Sequence, residues 1–239
     1  MTSIVVGNND FRAALASVKA HAGKGEKEHP MYKRVRMIID PTNTTIVATD
    51  GSSIGLAIVS VWEHVDPSIE IIDLMVDDAE RILGIFPPVK ELDEEESAPS
   101  FTLRIDIAPN HIRVTDNAGM FDGRSLRVPR LDTDANYTDI PLLLSKAHHA
   151  APSLLEDMVA NGALLSRFKT ASQIYKAPLQ IEAHVGFSSL LIRAGESFLG
   201  LLMPRNLSGD EERQRKEWAL AWSTRLPDPA PAVADSEAS

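Results

Sequence analysis

Apolar positions along this chain change period at regular intervals, and each change marks an element. Ile4-Val5-Val6 is a strand-type run that leads into Asn8-Asn9-Asp10, residues suited to capping a helix; Phe11, Ala14, Leu15 and Val18 then recur at helical spacing. The helix is expected to end near Ala22-Gly23. Strand-like segments follow at Arg34 to Asp40, Thr44 to Thr49 and Ser53 to Val61, with Pro41-Thr42-Asn43 and Asp50-Gly51 as turn signals.

The order then starts again. Ile69 to Val76 is strand-like, Asp77 or Asp78 can cap a helix, and Ala79, Ile82, Leu83 and Phe86 repeat the first helix's apolar spacing. Strand-like runs return at Phe101 to Ile107, His111 to Asp116 and Ser125 to Val128. A third copy runs from Met158-Val159 through Asn161, Leu164, Leu165 and Phe168 to strands at Leu179 to His184, Ser189 to Arg193 and Phe198 to Met203. The fold class is therefore α+β, with a strand, helix, three-strand unit appearing three times per chain. Asp132 to Asp157, which holds Pro141 and Leu142-Leu143-Leu144, is too short for a fourth unit and reads as a linker plus a helix. Asp210 to Leu226 suits one more helix, and the Pro/Ala/Asp/Ser-rich end from Pro227 is expected to be disordered.

With 239 residues, 44% of them hydrophobic, the chain can bury a substantial core without covalent help. It has no cysteine, which excludes disulfides, thiol catalysis and the usual structural zinc sites. The start lacks a secretion signal and charges interrupt every long apolar run, so the expected protein is cytoplasmic, with no membrane partner. The formal net charge of -10 argues against a surface wholly given to nucleic acid but permits a basic stripe. Part of the negative excess sits in Glu91 to Glu96, which reads as a solvated acidic loop.

The last strand ends on Met203-Pro204-Arg205-Asn206-Leu207. Proline cannot donate to a sheet ladder, so the apolar run stops at a sheet margin, with Met203, Pro204 and Leu207 near the surface as the edge of a docking groove. Ordinary alternation into the core is the competing reading, and for Leu199 it is the favoured one.

This ending, together with Ala48-Thr49-Asp50-Gly51, resembles the bacterial DNA polymerase III beta subunit, the sliding clamp. Asp122-Gly123 and Asn136-Tyr137 through Pro141 are similar to a family loop of Asp-Gly, Asp-Tyr and a proline, here with an insertion between its parts. The resemblance implies a shortened clamp. Residues 1–131 would be a complete clamp-like domain, 132–157 a connecting segment, 158–208 a partial domain, and 209–239 a C-terminal helix and tail. Carried over position by position, the family's peptide-binding pocket would use Thr49, Gly51 and Ile54 from one wall, Pro141 from the connection, and Leu201, Met203, Pro204 and Leu207 from the other. Ser52-Ser53 stands where the family commonly has His-Arg or Tyr-Arg.

The implied partners are a DNA polymerase and other clamp-binding proteins, through short linear motifs, and duplex DNA without sequence specificity, encircled by a homo-oligomeric ring. Arg12, Lys19, Lys24, Arg167 and Lys169, on or beside helices, are the candidate DNA-facing residues; each also suits a solvated helix face. The implied function is that of a DNA replication processivity factor. A ringless mimic or adaptor that captures the same partners is the alternative, and an enzyme on an unrelated α+β fold is the third reading. Against the enzyme, the sequence has no phosphate-binding Gly-rich loop and no nucleophile elbow, and adjacent His148-His149 lack metal-ligand spacing. No catalytic residue, metal or cofactor is expected.

Overall fold

The computed structural model describes residues 2–66, 68–90, 101–155 and 158–227. The acidic run Glu91 to Glu96 and the end from residue 228 lie outside the described residues. Strand β1 (Thr2–Gly7) passes directly into helix α1 (Asn8–Lys19), which buries Phe11, Ala14, Leu15 and Val18 as the spacing predicts. The expected asparagine cap does not form. Gly7 holds the cap position, and Asn8 and Asn9 sit in the first turn, their amides donating to the carbonyls of Pro87 and Val89. A 3-10 turn at Pro30–Tyr32 precedes β2 (Arg34–Ile39), β3 (Asn43–Thr49) and β4 (Ser53–Val65).

The second unit comprises β5 (Glu70–Met75), α2 (Val76–Ile85), β6 (Thr102–Ile107), β7 (His111–Asp116) and β8 (Ser125–Pro129). Here too the cap differs from expectation: Met75 occupies it, and Asp78 accepts from Arg81. The two units exchange their first strands, β1 pairing with β6 and β5 with β2. Each three-strand run thus gains a fourth strand from the other unit, which joins the two around one core containing Ile4, Phe11, Leu15, Ile82 and Ile105.

Helix α3 (Ile140–His149) starts at Asp139, whose carboxylate accepts from the Leu142 N–H at 3.0 Å. Next come a two-residue strand β9 (Pro152–Ser153), α4 (Gly162–Ile174), β10 (Leu179–His184), β11 (Leu190–Ala194) and β12 (Phe198–Leu202). Met158-Val159, expected to open the third copy as a strand, lies outside any strand; β9 pairs with β10 instead.

Antiparallel pairing of β12 with β4, Phe198 opposite Ala57 through Leu202 opposite Ser53, carries the sheet without a break from β5 to β9. Gly200 permits this approach. A methyl group there would lie 2.5 Å from the Ile54 carbonyl oxygen and 2.7 Å from Phe168 Cε1. Met1–Pro204 forms one unit, and Arg205–Ser239 forms another that holds α5 (Gly209–Arg225), begun by a Ser208/Glu211 capping box. Among the described residues no helix is long and apolar enough to cross a membrane.

Candidate functional site

The register of β4 against β12 brings two distant segments together. Thr49, Gly51 and Ile54 reach one side of a groove of about 340 Å³, and Leu201 and Met203 reach the other. The turn between β3 and β4 is shaped by side chains. Gly51 has φ 84°, its N–H donates to Thr49 Oγ1 at 2.9 Å, and that hydroxyl donates to the Ser53 carbonyl at 2.9 Å. The Met203 N–H donates to the Ser52 carbonyl at 2.9 Å, so the chain leaving β12 is fastened to the same turn.

Leu201 is buried in a cluster with Val47, Leu56, Ile140, Leu144 and Leu191, by which α3 packs on the outer sheet face. Met203 is 44% exposed. The floor is therefore fixed by core packing, while the rim stays free to contact a ligand.

The connecting segment reaches the groove because the sheet edge holds it. Buried Asp73 accepts Arg36 Nε at 2.8 Å and Arg34 Nη1 at 2.9 Å, and Arg36 Nη2 donates to the Asp134 carbonyl at 3.0 Å. Burial alone would raise the Asp73 carboxyl, but the hydrogen bonds and charges of Arg36 and Arg34 hold it below its ordinary value. Arg36 also lies 4.1 Å over the Tyr137 ring, and the next residue, Thr138, lines the groove.

Pro141 is half-buried in the first turn of α3 and is not part of the lining; Thr138 and Leu143 face the groove from that segment. Pro204 is likewise outside the lining, and Leu207 belongs to the unit that begins at Arg205. Tyr32 and the β10–β11 turn around Phe187 complete the lining, and sequence reading missed both. An aromatic residue inside a glycine turn, Gly186-Phe187, was the available signal. No lining residue carries a charge.

The five candidate DNA-facing residues divide. Arg12 donates to the carbonyls of Leu83 and Phe86 at the end of α2, Lys19 pairs with Glu80 at 2.9 Å, and Arg167 pairs with Asp50 at 2.5 Å. Lys24 and Lys169 are exposed. His148 accepts from Arg193, and no group of three metal-ligating side chains occurs among the described residues. A second cavity, of about 210 Å³, lies between Pro87 and Phe101. Its lining includes Asn8, Phe86, Asp116 and Arg124.

No protein-family model matches the chain, and no curated protein matches its sequence. Solved structures do match its fold. The DNA polymerase III beta subunit of Thermotoga maritima superposes with a TM-score of 0.62 at 10% identity, over 89% of this chain and 67% of that one. The Bacillus subtilis DNA polymerase sliding clamp gives 0.60 at 10% identity, over 86% and 64%. The Streptococcus pneumoniae beta chain gives 0.58 at 14% identity, over 95% and 76%. The fold is that of the sliding clamp, and the chain spans about two thirds of the length of the Thermotoga and Bacillus proteins.

Proposed function

We propose, with the sliding-clamp fold as premise, that this chain works by docking short apolar peptide segments of a DNA polymerase and of other replication or repair proteins. The observation that carries the reading is the groove itself. Its lining is uncharged, its floor is fixed by the β4–β12 pairing, and Met203 stands exposed at its rim. Unbranched methionine and leucine side chains adapt to different apolar partners, which suits a site that several proteins share. Binding is the whole of the proposed act, with no residue assigned to bond chemistry.

The test is a calorimetric titration with an octapeptide carrying two leucines and a phenylalanine. Wild type is expected to bind saturably, and Met203→Ala to bind about tenfold more weakly, the scale of a truncated anchor. Equal affinity in the folded variant refutes the reading.

In the wider form of this proposal several copies close a ring around duplex DNA, with Lys24 and Lys169 meeting phosphates without reading sequence. The adaptor form, without a ring, is favoured by one observation: Arg12, Lys19 and Arg167 are engaged with protein groups. Sedimentation at high concentration separates the two forms. A closed oligomer is expected for a clamp; monomer alone leaves only the adaptor.

A further inference from the structure

The wall of the groove depends on a side chain from a helix outside it. In the Thr49–Ser53 turn the backbone closure from the Asp50 N–H to the Ser53 carbonyl is long, 3.4 Å. The Asp50 carboxylate supplies what the backbone does not. Its Oδ1 accepts from the N–H groups of Ser52 and Ser53 at 2.9 and 2.8 Å. Its Oδ2 accepts Arg167 Nη1 at 2.5 Å, and the same nitrogen donates to Ser53 Oγ at 2.8 Å. The Asp50 side chain is 8% exposed and that of Arg167 24%, so it is the carboxylate that is largely shielded from water. Arg167 is itself held, because α4 is anchored by its neighbour Phe168, fully buried against Gly200.

We propose that Arg167 is a positioning residue for peptide docking, fixing through Asp50 the wall that receives the peptide. This rests on the reading of the groove as a peptide site and reassigns Arg167 from the DNA-facing set. A carboxylate buried without its cation is costly, and the turn relieves that cost by opening toward water. A binding wall tolerates only about 0.5 Å of such movement before contacts degrade. Burial would raise the Asp50 carboxyl, yet the Ser53 and Ser52 amides and Arg167 hold it below its ordinary value, so the pair stays charged at neutral pH.

The experiment compares affinity for the fluorescein-labelled octapeptide across wild type, Arg167→Met, Arg167→Lys, Asp50→Asn and Gln173→Ala. Arg167→Met is expected to bind roughly tenfold more weakly. Arg167→Lys should recover most of the loss, because one nitrogen makes both bonds and an ammonium can replace it. Gln173→Ala, an exposed change on the same helix, should match wild type. Amide exchange at Gly51, Ser52 and Ser53 should quicken in Arg167→Met while β10 and β11 stay protected, a local signature that general destabilisation does not give. If Arg167→Met does not fold, Asp50→Asn and Arg167→Lys carry the same comparison. Undiminished affinity in folded Arg167→Met or Asp50→Asn overturns the inference, as does a loss in Arg167→Lys equal to that in Arg167→Met. Wild type that binds no peptide refutes instead the reading beneath it.

Discussion

His21 carries two ring nitrogens into a fully buried position, and neither finds a hydrogen-bond partner. It lies edge-on to Phe168, with ring centroids 4.6 Å apart, and beside Phe198 at 5.8 Å. Burial, and then the Arg167 charge, push its pKa down to about 3, against a small opposing pull from Asp50. The folded imidazole is therefore neutral, whereas the unfolded chain takes up a proton as pH falls below 6.5. The contribution to stability is full above that value and declines by about 1.4 kcal/mol per pH unit toward the folded pKa. Urea unfolding of His21→Leu between about pH 6 and 4 should show a shallower decline than wild type; equal slopes would contradict this assignment.

Residues of this kind mark the limit of what was legible. Periodicity placed Leu201 and Met203 at the margin of a strand, and turn chemistry singled out Gly51. Tyr32 and Phe187 lie in irregular segments that carry no period. Helical spacing tells which face Arg12 and Arg167 occupy, not which acceptor of a neighbouring element covers that face.

At the scale of elements, the strands and helices of the first two units stand close to where the apolar pattern put them, since each has one buried face. The departures have local causes. β4 runs on to Val65 through Glu63, past the expected end at Val61, because β1 takes up its far half: Val5 pairs with Glu63 and Ser3 with Val65. The asparagine and aspartate caps do not form because β1 and β5 run directly into their helices, so their last residues, Gly7 and Met75, hold the extended cap positions and Asn8, Asp77 and Asp78 fall inside the first turn. The third copy has no first strand at Met158-Val159. Its sheet receives only two residues of β9, where β2 and β6 each receive six from a sister unit. A repeat read from sequence reports similarity of units, and partner strands are a property of the assembled sheet.

For the whole molecule, the groove exists because β12 pairs with β4, which sets Phe198 to Leu202 beside Ser53 to Ala57 in one sheet. The side chains that line it come from residue 32 to residue 203, so no local stretch of sequence contains the site. What linked its two walls beforehand was a resemblance; what links them in the structure is the register of one strand pair, the Met203 to Ser52 hydrogen bond and the shared apolar floor. The most direct test is a titration of isotope-labelled protein with the leucine- and phenylalanine-bearing octapeptide, followed by backbone amide NMR. The account predicts saturable shifts largest at Gly51, Ile54, Phe187, Leu201 and Met203. Shifts that do not saturate, or that gather on α2 and β8 with those five unmoved, would contradict it.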